Sequence, residues 1–172
     1  MKVEQEGSKI EKKIIGQPFP EITSKSLTGR VVTLPKAVKG KVALICIAFV
    51  RSAQGMIDSW ALPFEQEFGK NSRFVVYEVP MINAGWKVLS WMIDSGMRSG
   101  IPVEKHDKVV TFYGDYSGYQ EVLGMENTNF AYVFLLDSAG IVRWKGQGYA
   151  SPETERELFN NGSCPQVIEL EP

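Results

Sequence analysis

Few residues in this 172-residue chain are equipped for covalent chemistry. It has two cysteines, Cys46 and Cys164, and one histidine, His106. Cys46 lies inside an apolar run, and Cys164 sits far along the chain between Ser163 and Pro165. That spacing fits neither a CxxC pair nor a zinc-ligand pattern, so a buried inert thiol and a free thiol near the C-terminus are expected. A single histidine excludes a histidine-rich metal site. Ser52, His106 and Asp107 supply the residue types of a nucleophile–base–acid set. Such sets are defined by geometry, and no nucleophile-elbow sequence surrounds Ser52. His106 therefore reads as a loop histidine beside a solvated aspartate. No catalytic residue, cofactor or metal is expected.

The stretch most suited to binding is "CIAFVRSAQGMIDSW", residues 46–60. A largely β-branched run ends at Val50, a polar turn follows, and a helical pattern begins. A helix that starts just after a strand exposes free N–H groups and the positive end of its dipole. Such an end can hold an anion or activate a cysteine thiolate. Here the junction reads Arg51-Ser52-Ala53-Gln54-Gly55-Met56-Ile57, and its only sulfur is the thioether of Met56. Arg51, Ser52 and Gln54 are candidate partner-binding residues for an anion or a peptide. The plainer reading is a capping turn with a solvated arginine.

These residues need elements to position them. "KVALICIAFV" (41–50) is apolar at both alternating sets of positions, as expected for a central strand covered on both faces. In the next segment Ile57, Trp60, Ala61, Phe64 and Phe68 share one helical face, with Pro63 expected to kink it. "RFVVYEVPMI" (73–82) is a second apolar strand, which makes a βαβ unit with a parallel pair. A helix is expected from about Ala84 to Ser99, with Trp86, Val88, Leu89, Met92, Ile93 and Met97 inward. Trp91 falls on its polar side with Lys87, Asp94 and Arg98. Either the 100–108 loop covers Trp91 or Trp91 covers a partner, as interface tryptophans do. Lys87, Trp91 and Arg98 join the candidate partner-binding set. "KVVTFYG" (108–114) suits a strand and "SGYQEVLGM" a short helix. "NFAYVFLLDSAGIVRWKGQG" is a β-hairpin turning at Asp137-Ser138-Ala139-Gly140. Within it Trp144 is expected on the sheet face, with Arg143 and Lys145 outward. "SPETERELFNN" is a helix with Ser151 at the N-cap and Pro152 at the first position.

Composition bounds the function. Hydrophobic residues make up 44% and charged residues 23%, ordinary for a globular chain. A net charge of −1 gives no global electrostatic case for nucleic acid or an anionic membrane. The longest apolar run, Val42–Val50, falls far short of the ~20 residues of a membrane helix, so no transmembrane segment is expected. Residues 1–13 are expected to be a mobile arm without the pattern of a secretory signal or transit peptide, and 14–172 a single domain.

The element order resembles the thioredoxin-like superfamily, in the extended version of peroxiredoxins and thiol reductases. That implies an α/β fold: a central mixed sheet flanked by helices, closed by a C-terminal β-hairpin and helix. "GQPFPEITSKSLTGRVVTL", "GKVALICIAFV" and "FAYVFLLDSAGIVRWKGQG" carry the resemblance. The superfamily's thiolate would stand at 51–57, and its cis-proline at Phe130-Ala131, where there is no proline. From Lys41 to Leu158 the chain is similar to the ATP synthase Fo-sector assembly factor family numbered ten, thioredoxin-like proteins without redox cysteines. The matching residues are Arg51, Ser52, Trp60, Pro63, Phe64, Glu78, Asp137, Gly140, Arg143, Trp144, Gly146 and Gly148. This resemblance implies a redox-inactive assembly factor or chaperone. Its partner would be a hydrophobic membrane subunit of ATP synthase or its assembly intermediate. The place would be the matrix side of the mitochondrial inner membrane in a eukaryote, and otherwise the cytoplasm. The alternative is a peroxiredoxin-like or thiol-reductase-like oxidoreductase working through Cys46 or Cys164.

Overall fold

The computed structural model describes residues 14–164; the expected arm at 1–13 lies outside them. The chain opens with a hairpin of β1 (Ile22–Ser26) and β2 (Val31–Leu34). It then runs through β3 (Val42–Ala48), α1 (Gln54–Phe68) and β4 (Phe74–Ile82). A short 3-10 segment precedes α2 (Ser90–Gly100), followed by β5 (Val110–Tyr113) and α3 (Ser117–Leu123). The hairpin of β6 (Tyr132–Leu136) and β7 (Val142–Gln147) leads to α4 (Pro152–Gly162).

The strands form one mixed sheet in the order β2-β1-β5-β4-β3-β6-β7. β3, β4 and β5 run parallel, while β6 and β7 add an antiparallel edge. The opening hairpin supplies the other edge, with β1 antiparallel to β5. All seven residues of β3 are buried, as its two apolar sets require. Ala43, Ile45 and Ile47 pack with Val79, Met81, Phe134 and Leu123. Leu44 and Cys46 face Ile57, Trp60, Phe64 and Leu158 on the opposite side. Burial of a side chain such as Ile57 or Phe64 contributes about 1.5–3 kcal/mol relative to exposure. α1 therefore lies firmly across the sheet, and its start is held where β3 ends.

Two local expectations change. The segment expected as one helix from Ala84 is a 3-10 turn over Ala84–Leu89, joined to α2 at Ser90. The Asn83 side chain accepts from Gly85 N at 3.1 Å and starts the tighter winding. A 3-10 segment has about 3.0 residues per turn against 3.6, so the apolar pattern loses its phase across the join. Leu89, Ile93 and Met97 are half-buried, whereas Trp86, Val88 and Met92 are exposed. In β7, Trp144 does pack inward against Trp60, with ring centroids 5.3 Å apart. Its basic neighbours are not simply outward. Arg143 Nε donates to Asp137 at 2.7 Å, and Lys145 lies over the Tyr132 ring and donates to Gly124 O.

Candidate functional site

β3 and β4 are parallel neighbours, so the chain leaves both at the same end of the sheet. From β3 it enters a 3-10 turn, Arg51–Ala53, and then α1. From β4 it enters the 84–100 segment. The Arg51–Gln54 turn and the start of the 84–100 stretch thus lie at the carboxyl ends of adjacent strands, where open α/β sheets commonly carry their sites, whereas Arg98, near the end of α2, lies beside Leu27 and the start of β5. Ala53 is fully buried and anchors the turn, leaving Arg51, Ser52 and Gln54 exposed. On the other stretch Lys87 is exposed and Trp91 is 69% exposed, so the 100–108 segment does not cover it. Arg98 is exposed but tethered, its guanidinium donating to Leu27 O at 3.3 Å.

The junction is closed by its own backbone. Ala131 N–H points to Met56 Sδ at 3.5 Å, and Ala131 O accepts from Gly148 N at 2.9 Å. Trp60 Nε1 donates to Gly148 O at 2.8 Å. Ser59 Oγ accepts from Ala150 N at 2.9 Å while donating to Met56 O. A Cβ added at Gly55 would come within 3.2 Å of the Tyr149 hydroxyl, so that ring leans over the first turn of α1. These bonds tie the Ala131 and 148–150 backbone to the first turns of α1.

Gln54 serves an internal purpose that its sequence position does not reveal. Its amide donates to Asp58 Oδ1 at 3.0 Å and to Glu78 Oε2 at 3.3 Å. Glu78 is half-buried on β4 in register with Cys46. Burial first, then the charges of Asp58 and Glu65, push its carboxyl above the ordinary glutamate range, against the Gln54 bond and Lys105. The same surroundings act on Cys46. Burial foremost, then Glu78, Glu65 and Asp58, hold its thiol well above the usual cysteine value. A working redox thiol needs the opposite, an accessible thiolate near positive charge. The Glu78 signal was present in the sequence, as one carboxylate inside the apolar run "VVYEVPMI".

The nucleophile set is not assembled. His106 is buried, with Nε2 at 2.7 Å from Ile101 O. Asp107 pairs with Lys108 at 3.0 Å and Arg30 at 3.8 Å. Both cysteines are free thiols, and among the described residues no group of His, Cys, Asp or Glu is placed to hold a metal ion.

A seven-stranded mixed sheet with α1 packed across it, and no cysteine where the helix begins, defines a thioredoxin-like protein with an empty redox junction. Solved structures agree on the fold. A solution structure from Bacteroides thetaiotaomicron, described as a protein disulfide isomerase, matches with a TM-score of 0.62 at 13% identity, covering 88% of this chain and 92% of that one. The thioredoxin domain of a thiol-disulfide oxidoreductase from Bacteroides vulgatus matches at 0.56 and 17% identity, over 85% and 96%. BsSco, of the Sco family of cytochrome c oxidase assembly proteins, matches at 0.53 and 13% identity, over 85% and 94%. No curated protein matches the chain. The profile of the ATP10 protein family matches residues 12–164, and the chain belongs to this ATP synthase assembly family.

Proposed function

We propose that the protein is a redox-inactive assembly factor that binds a hydrophobic membrane subunit of the ATP synthase Fo sector, or an intermediate containing it. The observation that carries this reading is the pairing of family membership with a disabled thiol. The junction offers only Met56, and Cys46 is buried beneath α1 with its thiolate disfavoured. Geometry that positions a reactive group elsewhere is here free to hold a client. The client surface is formed by Arg51, Ser52 and Gln54 at the carboxyl end of β3 and by Lys87, Trp91 and Arg98 along the 84–100 stretch. In a eukaryote the protein works on the matrix side of the mitochondrial inner membrane, and otherwise in the cytoplasm. Among the described residues no helix is long and apolar enough to cross a membrane.

The test has two arms. Insulin-reduction and peroxide-consumption assays on purified protein should give background rates. A rate abolished by Cys46→Ser or Cys164→Ser would establish the oxidoreductase reading instead. Tagged protein should recover an Fo subunit from detergent-solubilised native membranes. Trp91→Ala should weaken that recovery by about 2 kcal/mol, the scale of an interface hot spot. Undiminished recovery by both Trp91→Ala and Arg51→Ala would place the client surface elsewhere.

A further inference from the structure

The sulfur of Met56 is held differently from those of the other described methionines. Met81 and Met125 are fully buried, and Met92 is 50% exposed. Met56 and Met97 lie between, half-buried. Met97 Sδ accepts from the Thr111 hydroxyl at 3.6 Å, a donor that can rotate away. Met56 Sδ accepts from the Ala131 N–H at 3.5 Å. That donor is fixed, because Ala131 is fully buried and its carbonyl is tied to Gly148 N at 2.9 Å. The Met56 carbonyl is engaged as well. It accepts from Ser59 Oγ at 2.6 Å, and the same hydroxyl oxygen accepts from Ala150 N. The side chain packs against the apolar cluster that holds Ala53, Trp60, Ala131 and Trp144. Met56 is therefore part of the bonding that joins α1 to Ala131 and to residues 148–150.

We propose that Met56 is a site of reversible oxidation by peroxide, that its sulfoxide forms as a single epimer, and that oxidation releases the Ala131 N–H. A thioether sulfur carries two lone pairs, and oxygen added at one or the other gives opposite epimers of a chiral sulfoxide. The Ala131 N–H occupies one lone pair and leaves the other for the oxidant. In the step, that lone pair attacks one oxygen of hydrogen peroxide. The O–O bond breaks, an S–O bond forms, sulfur loses two electrons, and the second oxygen leaves as water. A methionine sulfoxide reductase reverses the step with two thiols, which become a disulfide while the oxygen leaves as water. Each chain takes up one oxygen at this site without turnover, so catalytic peroxide consumption stays at background. The sulfoxide tip is polar and ill suited to the apolar cluster. It turns toward solvent, the Ala131 N–H loses its acceptor, and the backbone that closes the junction loosens. Neither cysteine takes part.

The experiment treats the full native chain with hydrogen peroxide and maps the oxidised residues by peptide mass spectrometry. Met56 and Met92 should be oxidised while Met81 and Met125 are spared. Peptides from the treated protein are then given to the two classes of methionine sulfoxide reductase, each specific for one epimer. One class should clear the Met56 sulfoxide and the other should leave it, whereas the Met92 sulfoxide should divide between them. Amide exchange at Ala131 should rise about fivefold on oxidation, the scale of one lost hydrogen bond. Met56→Leu should show the faster exchange before peroxide is added and no further rise after it. Met92→Leu/Met97→Leu should respond to peroxide as the parent does, and it reads the same exchange should leucine at 56 prevent folding. Melting temperatures confirm that each variant folds. Sparing of Met56 alongside Met81, an even mixture of epimers at Met56, or unchanged exchange at Ala131 after oxidation would each overturn the proposal. The assay contains no client, so its outcome is independent of client recovery.

Discussion

Replacing Trp60 and, separately, Trp91 with phenylalanine applies one chemical change at two depths. Trp60 is 2% exposed, packs against Trp144 and donates to Gly148 O at 2.8 Å. Phenylalanine removes the pyrrole part of the ring and with it the donor. Loss of its buried carbons costs about 1–1.5 kcal/mol at roughly 0.8 per methylene-sized group. Leaving the Gly148 carbonyl without its partner costs about 1–3 kcal/mol more. The expected loss is therefore about 2–4 kcal/mol, or roughly 4–15 °C in melting temperature for a chain of this size. At Trp91, 69% exposed and with its ring outward, the same substitution should stay within about 0.5 kcal/mol. Urea titration followed by far-UV circular dichroism gives both values, with unchanged slope as the check on two-state behaviour. Trp60→Phe should also loosen the 148–150 backbone that closes the junction, seen as faster amide exchange there. A Trp60→Phe protein that melts with the parent would refute the claim that this bond anchors the junction. A Trp91→Phe loss as large as that of Trp60→Phe would mean Trp91 is core.

Two further outcomes follow from the same face of the sheet. Cys46 should resist a thiol reagent in the native protein and react only on unfolding, while half-buried Cys164 reacts much sooner; fast native labelling of both would contradict the burial of β3. Glu78→Gln should stabilise the fold at neutral pH. The folded-state pKa of Glu78 is raised, so its destabilising charge is present above that pKa and is removed as pH falls toward the ordinary glutamate value of about 4.3. The gap between variant and parent should therefore close on acidification, and a gap that widened would reverse the assigned cause.

What the sequence determined by itself is what depends on neighbours along the chain. β3 is central because both its alternating sets are apolar. The Asp137-Ser138-Ala139-Gly140 turn forms because the Asp137 carboxylate accepts from Ala139 N and Ile141 N, and Gly140 takes φ +80°. α4 starts where Ser151 and Thr154 form a capping box. The missing thiol at 51–57 is equally plain in the sequence, and so is the family resemblance that gives it meaning. Tertiary structure decided the pairings that join residues far apart. Gln54 looks like a surface contact in sequence, yet it reaches across to Glu78 on the next strand. His106 reads as a loop histidine, yet its ring is buried against Ile101 O. Trp86, Val88 and Met92 share a helical face with Leu89, Ile93 and Met97 on paper, but a 3-10 start at Asn83 shifts the phase and turns them to solvent. Periodicity says which side chains share a face of an ideal helix. Which face is covered depends on the winding actually adopted and on what the rest of the chain brings against it.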